Sequence, residues 1–256
     1  MVKLKKRGID EKDYKFSISV IFGLFAGCKC RGKNLINQDR LVNSFIRYAK
    51  IDTGSDPAMA EKKIPSTEKQ FDLANLLADE LKKLGLEDVS VSEHCVVMAK
   101  LPANIDNAPI VALFAHVDTA HDVPTGVVKP QIVDYKGGDI KLANGKVILA
   151  EDLKDEIGHK AITTDGADDK SGVAEIMEAI TVLVENPSIK RPEIKVVFTP
   201  DEETGLGLSI FDTKNFEADL AYTVDGGAPF ELDTETFNAF NPEITITGKV
   251  VNCGYA

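Results

Sequence analysis

Four short stretches of the chain carry side chains able to bind metal ions or to move protons. His116 and Asp118 stand two apart in "HVD", and Asp168 and Asp169 open "DDKSG". Glu202 and Glu203 follow Asp201 in "TPDEETG", and Asp225 precedes two glycines in "VDGG". In a strand, an i, i+2 spacing sets His116 and Asp118 on one side, where a carboxylate can fix the imidazole tautomer and raise its basicity as a ligand. One imidazole with several carboxylates suits Zn²⁺, Co²⁺ or Mn²⁺, and two ions can share a bridging aspartate. Such a pair activates water and polarises a carbonyl, while a separate base must accept the proton. Adjacent glutamates can divide that labour, one as ligand and its neighbour as base.

Taken singly, each stretch has a plainer explanation. Asp168 and Asp169 suit a helix N-terminus, Asp225 suits a turn, and His-x-Asp suits an ordinary hydrogen-bonded pair. Their shared position argues against coincidence. "PIVALFAHVD", "IKVVFTPDEE" and "DLAYTVDGG" are each apolar runs that end in polar residues, as buried strands do when they deliver side chains to a site. Between the first two lies "DDKSGVAEIMEAITVLVEN", with Val173, Met177, Ile180 and Val184 on one helical stripe. Strands alternating with helices predict an α/β sheet, and ligands of such sheets bind beyond the carboxyl ends of the strands.

The flanking elements follow the same logic. Leu35, Leu41, Phe45 and Tyr48 recur at near-helical spacing from Asn34 onward. A second helix is expected over "STEKQFDLANLLADELKKLG", capped by Ser66 or Thr67 with Gln70 and stopped at Gly85. "VSVSEHCVVMAKLPA" reads as strand and turn. From Phe237, "FNAFNPEITITGKVV" alternates apolar and polar residues, as a strand of a second domain would. The expected organisation is an extension over residues 1–33, a catalytic domain over 34–236, and the start of a smaller α+β domain over 237–256.

Composition narrows the partners. A net charge of −11 argues against nucleic acid and against an anionic membrane surface. Cys28, Cys30, Cys95 and Cys253 are sparse and scattered, which fits a reducing, cytoplasmic compartment. Export is the alternative, because the basic "MVKLKKR" and the apolar "FSISVIFGLFAGC" resemble a signal peptide ending at Cys28. That apolar run is too short to span a bilayer as a helix. Neither a Gly-x-Ser-x-Gly elbow nor a Walker-type lysine loop is present, which disfavours a serine hydrolase or a P-loop enzyme.

In order and context, "HVDTA", "GADDKSG", "TPDEETG" and "YTVDGG" resemble the co-catalytic zinc exopeptidases that include carboxypeptidase G and aminoacylase. "PQIVDYKGGDI", "AITTDG" and "TFNAFNPEITITGKVV" draw the resemblance toward the tripeptide aminopeptidases within that family. The resemblance implies a zinc-exopeptidase-like mixed sheet with helices on both faces, followed by the first strands of a dimerisation or lid domain. It implies two zinc ions. His116 and Asp225 would hold one and Glu203 the other, with Asp168 bridging them. Asp118 would support His116, and Glu202 would be the general base that passes a proton to the leaving amine. The implied substrate is a short peptide that loses its N-terminal residue, and the implied assembly is a homodimer.

The sequence also departs from the family pattern. It stops at Ala256, before a final histidine ligand for the second zinc, and none of His94, His121 or His159 sits in a matching place. Asn252 and Cys253 stand where the family reads His-Pro. An uncharged asparagine there would stabilise the tetrahedral intermediate less well. The stretch before "ADDK" is a few residues short, which would shift Asp168. A truncated, inactive remnant, or a related carboxypeptidase or deacylase, is therefore the competing expectation.

Overall fold

The three apolar runs become three neighbouring parallel strands, and this fixes where the polar residues after them must lie. The computed structural model describes residues 35–121, 128–142, 144–226, 232–234 and 244–248. Its helices are α1 (Gln38–Ala49), α2 (Pro57–Ala60), α3 (Gln70–Leu84) and α4 (Lys170–Glu185). Its strands begin with β1 (Glu87–Val91), β2 (Val97–Leu101) and β3 (Val111–His116). Four short strands follow: β4 (Gln131–Asp134), β5 (Ile140–Lys141), β6 (Val147–Ile148) and β7 (Lys160–Thr163). The last two are β8 (Ile194–Thr199) and β9 (Leu220–Thr223).

The main sheet runs in the order β1-β2-β8-β3-β9. Val111 pairs with Ile194 on one side and Leu220 on the other, both in parallel register, whereas β2 pairs antiparallel with both β1 and β8. The sheet is thus mixed, and β3, β8 and β9 all end at the same edge. The register puts His116 beside Thr199, so the chain leaving β8 starts level with the histidine, and that leaving β9 starts two residues earlier, beside Phe114. β4 pairs with β7 and β5 with β6 in two small antiparallel ribbons.

Alternation along each strand divides the sheet into two faces. Ala115 of β3, Val97 and Ala99 of β2, and Ile194, Val196 and Phe198 of β8 join the core beneath α1, α3 and α4. Leu73, Leu77 and Leu81 recur down α3 and are fully buried, each worth about 2 kcal/mol of apolar transfer. Phe114 has the opposite parity and meets Phe211 and Phe216 edge-to-face at 5.7 Å each. On that second face, Ala112 and Val197 are also buried. The expected stripe on α4 is buried at Val173, Met177 and Ile180, and burial extends to Ala174, Ile176 and Leu183 because the helix lies between the sheet and α1.

Polar links fix the helices to one another. The Arg40 side chain of α1 donates to Glu178 and Glu185 of α4, with Arg40 Nη1 2.7 Å from Glu185 Oε1. Tyr48 of α1 donates to Glu80 of α3 at 2.5 Å. Gly85 ends α3 at φ 84°, as its sequence position predicts, because a left-handed residue is least strained as glycine.

The start of α3 differs from expectation. The helix begins at Gln70, and its N-cap position, Lys69, makes no side-chain cap. Thr67 Oγ1 instead donates to the Gly54 carbonyl at 2.8 Å, and Ser66 turns toward Asp201. Tertiary partners have taken the hydroxyls that a local cap would use. Of the strand expected after Phe237, residues 244–248 are described. They pair with no strand among the described residues, and Ile244 and Ile246 are exposed. The extension over residues 1–33 and both Asn252 and Cys253 lie outside the described residues. Among the described residues, no helix is long and apolar enough to cross a membrane.

Candidate metal centre and active site

His116 ends β3 with its side chain 3% exposed. Its Nδ1 lies 3.0 Å from the backbone oxygen of Asp118 and 3.2 Å from Asp118 Oδ1. Two acceptors on that side hold the proton on Nδ1 and leave Nε2 as the ligating nitrogen. Nε2 faces Asp168 Oδ1 at 3.5 Å, Asp225 Oδ2 at 3.8 Å and Glu202 Oε2 at 4.0 Å. One ligand atom each from His116, Asp168 and Asp225 lie within 4.8 Å of one another.

Each of these residues has a structural reason for its position. Asp225 follows Val224, whose N–H continues the β9–β3 ladder by donating to Phe114 O at 2.8 Å. Asp168 precedes α4. The side chain of Asp169 caps that helix by accepting from Gly172 N at 3.0 Å. Asp168 itself faces the histidine, its Oδ1 3.5 Å from Nε2. Glycine at position 172 is required by space, since a Cβ there would stand 2.0 Å from Val224 O. The first turn of α4 can approach the end of β9, and so bring Asp168 near Asp225, only without that carbon.

Asp118 does more than orient the imidazole. Glu202 N donates to its Oδ1 at 3.0 Å and Glu203 N donates to its Oδ2 at 3.2 Å. This fully buried carboxylate thus holds His116 and the glutamate turn in one frame. Glu202 and Glu203 occupy a 3₁₀ turn, and their side chains take different places. Glu202 is 39% exposed beside His116 Nε2. Glu203 is likewise half-buried and does not belong to the three-residue ligand group.

The electrostatics ask for a cation. Burial, with the charges of Asp168, Glu202 and Asp118, pushes the Glu203 carboxyl up to about 7 against the opposing pull of His116. Burial, with the charges of Asp168 and Glu202, pushes Asp225 up to about 6. Asp169 is raised well above the carboxylate range by burial and by Asp225 and Asp168. Burial alone would lower the His116 pKa, but hydrogen bonds to Asp118 and Asp168 outweigh it and raise the pKa well above 6.5. One imidazolium does not balance this many carboxylates, so the donor set fits a divalent ion.

A pH dependence follows. Metal binding through the ligand set that the resemblance implies would require proton loss from Glu203, Asp225 and His116, all raised in the metal-free state. Metal affinity should therefore fall as the pH drops from about 7 through about 6, and protonated His116 extends the fall above that window. Each proton displaced contributes up to about tenfold per pH unit. Zn²⁺ titrations by calorimetry between pH 5.5 and 8 would check this, and a flat profile would contradict the ligand set.

Other functional candidates escaped the sequence reading. Lys170 is fully buried, its Nζ donates to Ile51 O at 2.5 Å, and burial pulls its pKa down to about 8. Its signal was a lysine inside an otherwise acidic motif. Gly172 was also legible in principle, since glycine in a first helical turn disfavours the helix unless space demands it. Of the unassigned histidines, His94 Nδ1 meets Ile64 O at 3.0 Å, while His121 and His159 are exposed.

Comparison with known proteins agrees with this geometry. No protein-family model matches the chain. It is 46% identical over 231 residues to peptidase T of Geobacillus kaustophilus, covering 86% of this chain and 56% of that protein. It is 47% identical over 230 residues to peptidase T of Clostridium novyi, covering 85% and 56%. Among solved structures, aminopeptidase PepT of Bacillus cereus superposes with a TM-score of 0.54 at 27% identity, over 76% of this chain and 45% of that one. A tripeptidase of Staphylococcus aureus gives 0.54 at 25% identity over the same shares. By sequence and by fold, this mixed α/β chain is a homologue of the peptidase T family and spans 56% of the length of the relatives it matches.

Proposed function

We propose that the strand-end cluster is the metal centre of an aminopeptidase that removes the N-terminal residue from tripeptides, with two zinc ions as the cofactor. The observation that carries this reading is the convergence of His116 Nε2, Asp168 and Asp225 within 4.8 Å, with Glu202 Oε2 beside them. His116 and Asp225 would hold one ion, Asp168 would be shared, and Glu203 would face the second. When bound, the ions supply a more acidic water and an electrophile for the peptide carbonyl.

The chain's own groups would do the rest. Glu202 Oε2 would take the proton of the attacking water and return it to the leaving amine, as a half-exposed carboxylate open to substrate can. Asp118 would keep the imidazole and the Glu202 backbone in register while the proton moves. The excess of negative charge would favour a substrate that presents a free α-ammonium group.

The test is hydrolysis of a free-amine tripeptide beside its N-acetylated form, each with Zn²⁺ and with chelator. Release of the first residue from the free tripeptide alone, abolished by chelation, is the expected result. Cleavage of the blocked peptide alone would point to a deacylase. Cleavage that survives chelation would sink the metal reading.

A further inference from the structure

Asp201 precedes the two glutamates, is fully buried and has no place in the ligand set. It adopts a left-handed backbone, φ 52° and ψ 29°, a strained conformation for a residue with a side chain. Such a conformation persists only where the surroundings hold it. Here they do so on both sides of the residue.

Its carboxylate receives three hydrogen bonds from the segment that opens α3. Oδ2 accepts from Ser66 N at 2.6 Å, while Oδ1 accepts from Ser66 Oγ at 2.5 Å and from Gln70 Nε2 at 2.7 Å. Gln70 closes the clamp, because its Oε1 accepts from Asp201 N at 3.2 Å. The Asp201 carbonyl in turn accepts from Thr204 Oγ1 at 2.9 Å and from Gly207 N at 3.0 Å. Gly207 fits because its position has no room for a side chain, a Cβ there standing 1.9 Å from Pro200 O. The turn bearing Glu202 and Glu203 is therefore gripped by Asp118 from one side and by the Asp201 hub from the other.

We propose that Asp201 is a positioning residue, whose carboxylate, clamped by Ser66 and Gln70, sets the turn that presents Glu202 and Glu203. The requirement is for a carboxylate and not merely for a polar side chain. Both oxygens face N–H donors, so an asparagine would turn its own NH₂ against either Ser66 N or Gln70 Nε2. The hub also explains why Ser66 does not cap α3. The consequence for hydrolysis rests on the peptidase reading, whereas the conformation of the turn needs neither metal nor substrate, so the two can fail separately.

The test is amide hydrogen exchange on the metal-free chain. In Asp201→Asn, the Glu202, Glu203 and Gly207 amides should exchange about tenfold faster, the size expected for losing hydrogen bonds to a buried charge. Amides of β8 and of the middle of α3 should keep their rates. Reversing the pair in Asp201→Asn/Gln70→Glu gives the new NH₂ an acceptor and conserves the net charge. It should return the turn to within about threefold of the parent rates. Unchanged turn amides in Asp201→Asn, equal acceleration across β8 and α3, or no recovery in the reversed pair would each overturn the proposal.

Discussion

Gly172→Ala is expected to destabilise the fold by about 3 kcal/mol and to weaken the metal centre together with it. The new Cβ would stand 2.0 Å from Val224 O and 2.6 Å from Asp169 Oδ1, well inside van der Waals contact. Neither neighbour can yield freely. Val224 is held by its own hydrogen bond to Phe114 O, and Asp169 is the cap of α4. Helix and strand must therefore separate, and Asp168 precedes the helix while Asp225 follows the strand. A displacement of about 1 Å at such a site costs on the order of a hundredfold in function. Urea denaturation followed by Zn²⁺ titration of the surviving folded protein would measure both effects. A variant with unchanged midpoint and unchanged affinity would show that the close approach does not set the ligand spacing.

The second large effect separates the two glutamates. Glu202→Ala should cut tripeptide turnover by about a hundred- to ten-thousandfold, the range for losing a general base, and leave the metal content nearly unchanged. Under the proposed ligand assignment, Glu203→Ala should lose the second metal and keep the first, which His116, Asp168 and Asp225 would hold. The geometry motivates this division, since Glu202 Oε2 lies 4.0 Å from His116 Nε2, whereas burial and neighbouring charge raise the Glu203 carboxyl to about 7. Metal analysis after dialysis, beside initial rates for both variants, would decide it. Equal metal loss in the two variants would contradict the assignment.

The parts of the fold that were legible in the sequence are those whose signal is local. β3, β8 and β9 are apolar runs closed by polar residues, and the parallel register of Val111 with Ile194 and Leu220 brings their ends to one edge. That edge is where a ligand site was expected, and His116, Asp168 and Asp225 converge there. What stayed hidden depends on partners far away in sequence. Ser66, Thr67 and Gln70 have the composition of a helix cap, and no local pattern distinguishes that from a clamp on Asp201, 135 residues from Ser66. The double service of Asp118 was similarly hidden. Its spacing from His116 foretold one contact, but the backbone N–H groups of Glu202 and Glu203 reach it only once β8 lies beside β3. Lys170, next to two aspartates, is buried by the fold with its Nζ donating to Ile51 O.

The glutamate pair raises an electrostatic question that the structure reframes. The backbone amides of both residues are tied to Asp118, so the turn is built to hold negative charge close together rather than to let it spread apart. Burial first, and then this crowding, raise the Glu203 and Asp225 carboxyls when no counter-charge is present. Divalent ions would relieve it and the same ions would supply the chemistry.

The most direct measurement of the proposed metal centre is Zn²⁺ binding to the chain beside its His116→Ala variant, by equilibrium dialysis with metal analysis. The prediction is one tightly held ion in the parent chain, a second held more weakly, and loss of the tight site in the variant. Parent and variant binding the same amount of zinc with the same affinity, or the parent binding none, would contradict it.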